Sequence, residues 1–113
     1  MTCIDIEQTT ELMIAQASPC KAAIRLAAEL FDFPQKAIIG PRRTQPLIWA
    51  RFMAMWAASY AGMSYSQIGR AFGDRDHTSV MNAVERAAEL QEQNPVLKAM
   101  GEQMLNRMGL ETA

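Results

Sequence analysis

At residues 64–80 the chain reads Ser64-Tyr65-Ser66-Gln67-Ile68-Gly69-Arg70-Ala71-Phe72-Gly73-Asp74-Arg75-Asp76-His77-Thr78-Ser79-Val80. Ser64 is a favourable helix cap, and Gln67 three residues later can complete a capping box. Gly73 follows the last apolar residue of this helix and can adopt the left-handed conformation that ends it. Asp76 is then a favourable cap for a second helix. The pattern predicts two helices joined by a glycine turn, which is a helix-turn-helix.

Apolar residues stand on both sides of the turn, with Ile68, Ala71 and Phe72 before it and Val80 and Val84 after it. At helical spacing each set forms one face, so we expect the two helices to pack against each other. A helix-turn-helix of this kind presents the N-terminal residues of its second helix to a DNA major groove.

The first turn of the second helix carries short polar side chains suited to base edges. Asp76 can accept a hydrogen bond from a cytosine amino group, and this role is compatible with capping. His77 can donate to a purine N7 or O6 or to a thymine O4, and Thr78 offers a hydroxyl and a methyl group. Ser79 can donate to a phosphate at the positive end of the helix dipole.

Two further residues extend this candidate surface. Arg75 in the turn can clamp a phosphate or a guanine, and Met81 can add an apolar base contact.

The alternative for Asp76 and His77 is a capped helix with an exposed histidine, or half of a catalytic pair. A single histidine without a serine or cysteine motif argues against nucleophilic catalysis, and scattered carboxylates make a poor metal site. We therefore expect no enzyme activity, no metal and no cofactor.

The other helix signals predict an all-α, compact domain of about five to six helices. Ser18-Pro19 starts a helix that ends around Asp32, before Pro34. The segment 38–41 reads as a turn, and Pro46 opens a long helix that reaches about Ala61, with Gly62 as its stop. The second helix of the motif runs from Asp76 to about Gln93, where Asn94-Pro95 ends it and starts another. The predicted organisation is an acidic N-terminal extension at residues 1–17 and one domain at residues 18–113.

Apolar stripes on these helices predict the core. The long helix carries Trp49, Phe52, Met53, Trp56, Ala57 and Tyr60 at helical spacing, and the last helix carries Val96, Leu97, Met100, Met104, Leu105 and Met108. Core packing is the expected role of the aromatic stripe, with base stacking as the alternative. The nine methionines suit an adaptable interior or, alternatively, a peptide-binding groove.

Composition narrows the class of protein. The net charge is −1, but residues 36–86 hold seven basic side chains against three acidic ones, and both ends are acidic. Such a dipolar chain can steer one face toward polyanions.

Cys3 and Cys20 show no metal or disulfide spacing, which indicates reduced thiols in the cytoplasm. The 18 uncharged residues from Phe52 to Gly69 include polar residues and a helix stop, so they predict a buried helix and a turn, not a membrane span. No signal peptide is expected.

The stretch from Ile68-Gly69 through Phe72-Gly73 to Arg75-Asp76-His77-Thr78-Ser79-Val80 resembles the signature of the C-terminal duplex-binding domain (domain IV) of bacterial DnaA. In that family the segment typically reads IGxxFGGRDHTTV. Asp74 stands where the family usually has glycine, and Ser79 stands where it usually has threonine, which keeps the hydroxyl. The resemblance covers roughly residues 18–108, and its motif is specific only from Ile68 to Val80.

The resemblance implies which side chains bind DNA. Family similarity assigns DNA contacts to Arg43, Ser66, Arg75, Asp76, His77, Thr78, Ser79 and Met81. Arg43 matches a family arginine that enters the minor groove, although Arg42 and Arg43 alone would read as solvated charge. Arg51 matches a family arginine on the long helix, so a phosphate contact is expected there. The family often has Pro-Arg-Gln where this chain has Ala50-Arg51-Phe52.

These expectations lead to one function and one alternative. We expect sequence-specific binding of double-stranded DNA at DnaA-box-like sites by a transcriptional or replication-initiation regulator associated with the nucleoid. No GxxxxGK[ST] phosphate loop occurs in the 113 residues, so the chain resembles the duplex-binding domain without the ATPase module. The alternative is a DnaA-like fold used as a protein-interaction module with weak or no DNA binding. Another replication or regulatory protein is a possible partner, and a non-palindromic site would suit a monomer, whereas residues 1–17 could support a dimer.

Overall fold

The computed structural model describes residues 19–110, and within that range helices joined by short loops are the only regular secondary structure. The elements are α1 (Pro19–Phe31), α2 (Gln35–Ile39), α3 (Leu47–Tyr60), α4 (Tyr65–Ala71), α5 (His77–Gln93) and α6 (Pro95–Arg107). The predicted all-α class and helix-turn-helix are confirmed, with α4 and α5 as the two helices of the motif. The Ser18 cap and the acidic extension at residues 1–17 lie outside the described residues.

Helix α3 is the central element, because α1, α5, α4 and α6 all pack on it. Its inner face carries four alanines, Ala50, Ala54, Ala57 and Ala58, which are completely buried. These small side chains let neighbouring helices approach closely, and Met53 and Met55 fill the remaining space. The position of α3 therefore fixes the rest of the domain.

The aromatic stripe of α3 only partly follows the expectation of core packing. Phe52 and Trp56 pack against the edge of the core, as expected. Tyr60 is 46% exposed, however, and Trp49 is partly exposed, so these two rings are not core residues. The Trp56 and Tyr60 ring centroids lie 5.6 Å apart, so the rings contact each other along the outside of the helix.

The local start and stop signals are confirmed around the helix-turn-helix. The Ser64 hydroxyl accepts from the Gln67 N–H, and the Gln67 side chain accepts from the Ser64 N–H, which completes the capping box. Asn94 accepts from the N–H groups of Val96 and Leu97 and so caps α6. These bonds satisfy donors at helix starts that have no partner within the helix.

Two expectations about local structure are wrong. Ile38 and Ile39 were expected in a turn, but they form the end of the short helix α2, which Pro34 precedes as cap. Ile38 is completely buried, so packing against the core favours this single helical turn. Val96 was expected in the core stripe of α6, but it is 65% exposed, whereas the next residue, Leu97, is buried. Val96 lies about 100° around the helix axis from Leu97 and therefore outside the buried face.

The first and last described helices close the domain. Glu29 in α1 and Arg107 in α6 form an ion pair at 2.8 Å. Helix α1 ends at Phe31, where Asp32 takes a left-handed φ of 60° and the Phe33 N–H bonds the Ala28 carbonyl. None of the helices in residues 19–110 combines the length and apolarity that a bilayer crossing requires.

Candidate nucleic-acid interface

The turn between α4 and α5 passes unusually close to α4, and the absence of a side chain at Gly69 permits this approach. The Arg75 N–H donates to the Gly69 carbonyl at 2.8 Å, and a Cβ at Gly69 would overlap the Arg75 carbonyl oxygen. Gly73 and Asp74 then take positive φ values of 82° and 58°, which reverse the chain. The left-handed conformation explains why glycine suits position 74, and aspartate is among the few other residues that tolerate it.

The first turn of α5 presents its polar side chains to solvent. Asp76, His77, Thr78 and Ser79 are all exposed, whereas Val80 behind them is completely buried against α4 and α3. Asp76 caps the helix by accepting from the Thr78 N–H at 3.1 Å. The helix N-terminus is therefore fixed by a buried anchor and a cap while four polar side chains remain accessible.

The imidazole of His77 stays close to its neighbour. Its Nδ1 lies 3.7 Å from an Asp76 carboxylate oxygen, and both side chains are about two-thirds exposed. Within residues 19–110, no group of three or more His, Cys, Asp or Glu side chains is arranged to hold a metal ion. The arrangement suits hydrogen bonding at a surface and gives His77 no partner set for metal binding in this part of the chain.

A basic groove lies beside α5, the second helix of the helix-turn-helix, which in this motif is called the recognition helix. Its lining residues are Arg43, Ile48, Arg51, Phe52, Met55, Arg75, Ser79, Asn82, Ala83 and Arg86. Four of these are arginines and none is acidic, so the groove is a local concentration of positive charge on a chain whose net charge is −1. Apolar side chains of α3 form one wall. Such a groove attracts a phosphate backbone.

Arg51 does not lie where a direct phosphate contact would require it. The side chain is only 2% exposed. Its Nε donates to the Ile38 carbonyl at 2.7 Å and its Nη2 donates to the Ala37 carbonyl at 3.1 Å. The structure thus gives Arg51 a structural role at the end of α2, and its burial disfavours the phosphate contact expected from the family match, which stays a prediction.

The charge on Arg51 still contributes to the groove. Burial, with smaller effects from the charges of Arg75 and Arg43, lowers its pKa to about 10. Because that value lies well above neutral pH, the guanidinium remains a cation under ordinary conditions. Burial and the charge of Arg43 also lower the pKa of Arg75. The three arginines therefore repel one another, and an anion in the groove would relieve that repulsion.

Arg75 is also largely occupied by the protein itself. Its Nε donates to the Phe72 carbonyl at 2.8 Å, and its Nη2 donates to the carbonyls of Ile39 and Gly40 at 3.1 and 2.6 Å. The side chain thus ties the turn to the end of α2, and within residues 19–110 its Nη1 has no hydrogen-bond acceptor.

The remaining predicted residues are accessible but lie in different places. Arg43 is exposed and lines the groove. Ser66 is exposed in the first turn of α4, and Met81 is 36% exposed on α5. Neither Ser66 nor Met81 lines the groove. Of the predicted residues, the structure brings Arg43, Arg51, Arg75 and Ser79 together at the groove and leaves the others outside it.

Asn82 and Arg86 are groove residues that the sequence reasoning missed. They follow Ser79 by three and seven residues, so all three lie on one face of α5. That spacing was the available signal, but the side of the helix that faces a groove depends on where α3 packs. Arg86 also forms an exposed ion pair with Glu89 at 3.1 Å, which leaves its charge partly compensated.

Comparison with known proteins agrees with this geometry. The family model for the bacterial DnaA protein helix-turn-helix matches residues 21–87. The chain is 42% identical over 73 residues to the chromosomal replication initiator protein DnaA of Acinetobacter baumannii (strain ATCC 17978), which covers 64% of this chain and 16% of that protein. The DnaA of Acinetobacter baylyi is 41% identical over 73 residues, with the same two coverages.

A more distant relative extends the match. The chromosomal replication initiator protein DnaA of Rhizobium johnstonii is 30% identical over 95 residues, which are 77% of this chain and 20% of that protein. The chain thus spans a fifth or less of the length of these relatives. The chain belongs to the helix-turn-helix family of bacterial DnaA, a family of DNA-binding domains.

Proposed function

We propose that this domain binds double-stranded DNA sequence-specifically, at sites like the DnaA box, and acts as a regulator of transcription or replication initiation. The observation that supports this most strongly is the exposed first turn of α5 beside a groove with four arginines. In this arrangement Asp76, His77 and Thr78 would meet base edges in the major groove. Ser79 and the groove would lie along a phosphate strand.

Arg43 has a separate place in this proposal. It is exposed on the loop between α2 and α3, at the rim of the same groove. An arginine on a loop at the edge of a phosphate-binding surface can reach a neighbouring narrow minor groove, where the potential is most negative. We therefore propose that Arg43 binds the minor groove next to the site that α5 contacts.

The central experiment compares two duplexes by fluorescence anisotropy, one carrying a DnaA-box-like site and one with the same bases scrambled, each at two salt concentrations. Thr78→Ala and His77→Ala should each weaken binding to the box duplex by about 5- to 150-fold, since a good base contact contributes about 1–3 kcal/mol. Binding to the scrambled duplex should change little. Gln103→Ala, an exposed polar residue on α6, is the matched control. Equal losses on both duplexes would argue against base recognition.

Arg43→Ala should behave differently from these variants. Because it removes a charge from the backbone-facing surface, it should weaken binding and lower the slope of log Kd against log salt by about one unit or less. Lys98→Ala removes an exposed charge on α6 and should leave both quantities unchanged. A salt slope for Arg43→Ala equal to that of the unmodified protein would contradict a groove contact by this side chain.

A second candidate function is protein interaction without strong DNA binding. It is favoured by the outer face of α3, where Ile48, Trp49, Phe52, Trp56 and Tyr60 are partly or largely exposed and none is charged. Uncharged aromatic surface of this kind often marks an interface. The carboxylate of Asp74 beside the recognition helix also disfavours a phosphate. Failure to bind either duplex at low salt would support this second function over the first.

A further inference from the structure

Four consecutive backbone carbonyls at the end of α2 are bound by two arginine side chains. Arg51 donates to the carbonyls of Ala37 and Ile38, and Arg75 donates to those of Ile39 and Gly40, with distances between 2.6 and 3.1 Å. The last carbonyls of a helix have no partner within the helix and need donors from elsewhere. Here those donors come from α3 and from the turn that starts the recognition helix.

Arg75 is itself rigidly placed. Its N–H bonds the Gly69 carbonyl at 2.8 Å, and its Nε bonds the Phe72 carbonyl at 2.8 Å. The residue that follows it, Asp76, is the cap of α5. The base of the Arg75 side chain is therefore fixed to the start of the recognition helix, and its far end is fixed to Gly40.

Gly40 lies only three residues before Arg43, in the loop that carries this arginine to the rim of the groove. Without the two guanidinium groups, the end of α2 would be held by the packing of Ala37, Ile38 and Ile39 against the core. The loop would also experience repulsion between Arg43 and the other two cations, which nothing acidic in the groove offsets. The carbonyl bonds act against that repulsion.

We propose that Arg75, assisted by Arg51, is a positioning residue that fixes the Arg43 loop relative to the recognition helix α5. This inference rests on the proposed DNA binding. Arg75 would fix the position of the minor-groove contact, made by Arg43, relative to the major-groove contacts, made by α5. The bridge from Phe72 to Gly40 requires the planar, forked guanidinium. A lysine would keep the charge at this position, but all its donors belong to one nitrogen, which cannot occupy the places of Nε and Nη2 at the same time.

The first test measures the loop directly and needs no DNA. Spin labels are attached at Arg42→Cys and Glu85→Cys, both exposed positions, after Cys3→Ser and Cys20→Ala, and the distance distribution between them is recorded in the full chain. Arg75→Lys should broaden this distribution or shift its maximum, whereas Arg70→Lys, an exposed arginine on α4, should leave it unchanged. An unchanged distribution in Arg75→Lys would overturn the proposal.

The second test asks whether the positioning matters for binding. On the box duplex, Arg75→Lys should raise Kd about tenfold with an unchanged salt slope, because its charge is kept. In an Arg43→Ala background the same change should raise Kd by less than about twofold, since the loop then has no contact to misplace. If the double variant raises Kd by the product of the two single-variant factors, Arg75 acts independently of Arg43, and the proposal is overturned.

Two controls separate the possible failures. Circular dichroism and thermal unfolding establish that Arg75→Lys is folded. If it is not, Arg51→Lys, which releases the carbonyls of Ala37 and Ile38, takes its place with the same two criteria. If the unmodified protein binds neither duplex, the proposed function fails, but the spin-label distances still decide whether Arg75 positions the loop.

Discussion

Replacing Gly69 by alanine is expected to destabilise the domain, although the same change in an ordinary helix interior would stabilise it. Gly69 lies in α4 without a positive φ, so alanine should gain up to about 1 kcal/mol from helix propensity. Against that gain, the new Cβ would overlap the Arg75 carbonyl oxygen, which belongs to the backbone and cannot swing away as a side chain can. The sign of the effect therefore reports how closely the turn approaches α4.

The expected size follows from two costs. Forcing an extra methyl group into a packed site costs about 1–3 kcal/mol, and moving the turn weakens the 2.8 Å bond from the Arg75 N–H to the Gly69 carbonyl, at about 0.5–1.5 kcal/mol. After subtracting the propensity gain, we expect a loss of about 1–3 kcal/mol in the free energy of unfolding. For a domain of this size each kcal/mol lowers Tm by about 4–8 °C.

Urea unfolding followed by circular dichroism measures this directly, through the transition midpoint at an unchanged m value. Arg70→Ala is the matched control, since it is the next residue of the same helix, is exposed, and should change stability little. A Gly69→Ala midpoint equal to or above that of the unmodified protein would refute the close approach of the turn.

Three further predictions concern single positions. Asp74→Asn should tighten binding to the box duplex without lowering its salt dependence, because it removes a carboxylate, keeps every basic side chain and retains a residue type that tolerates the φ of 58°. No change in Kd would mean that the carboxylate does not face a phosphate. Asn94→Ala should lower the free energy of unfolding by about 0.5–2 kcal/mol through loss of the α6 cap, whereas Asn106→Ala inside the same helix should not, as urea midpoints would show. Burial raises the pKa of the Cys20 thiol and shields it from reagents. In a Cys3→Ser background, Cys20 should therefore react with a thiol reagent at pH 8 only as fast as the domain opens. Fast modification in the folded state would contradict its burial.

The candidate interface could be predicted where its chemistry is local. The cap at Asp76 and the exposed polar first turn of α5 follow from a short run of residues and their order. A cap bonds to N–H groups two or three positions away, so nothing distant decides it. The DNA contacts of these residues themselves stay predictions until a duplex is titrated.

Two arginines have hydrogen-bond partners that could not be predicted from the sequence. Arg51 and Arg75 were both expected to meet DNA, and both proved to donate to carbonyls 13 to 36 residues earlier in the chain. A sequence pattern indicates that an arginine is present but does not give the acceptors, because these arrive from another element. The same limit applies to Asn82, whose place in the groove depends on the packing of α3 beside α5.

The all-helical class, the helix boundaries around the glycine turn and the family of the domain could all be predicted from the order of the residues. These features depend on propensities, caps and a motif, which act over a few residues. The helical state of α2, the burial of Arg51 and the convergence of Arg43, Arg75 and Arg86 on one groove became visible in the folded domain alone. Burial and charge proximity depend on how distant helices pack, and no local signal encodes that packing.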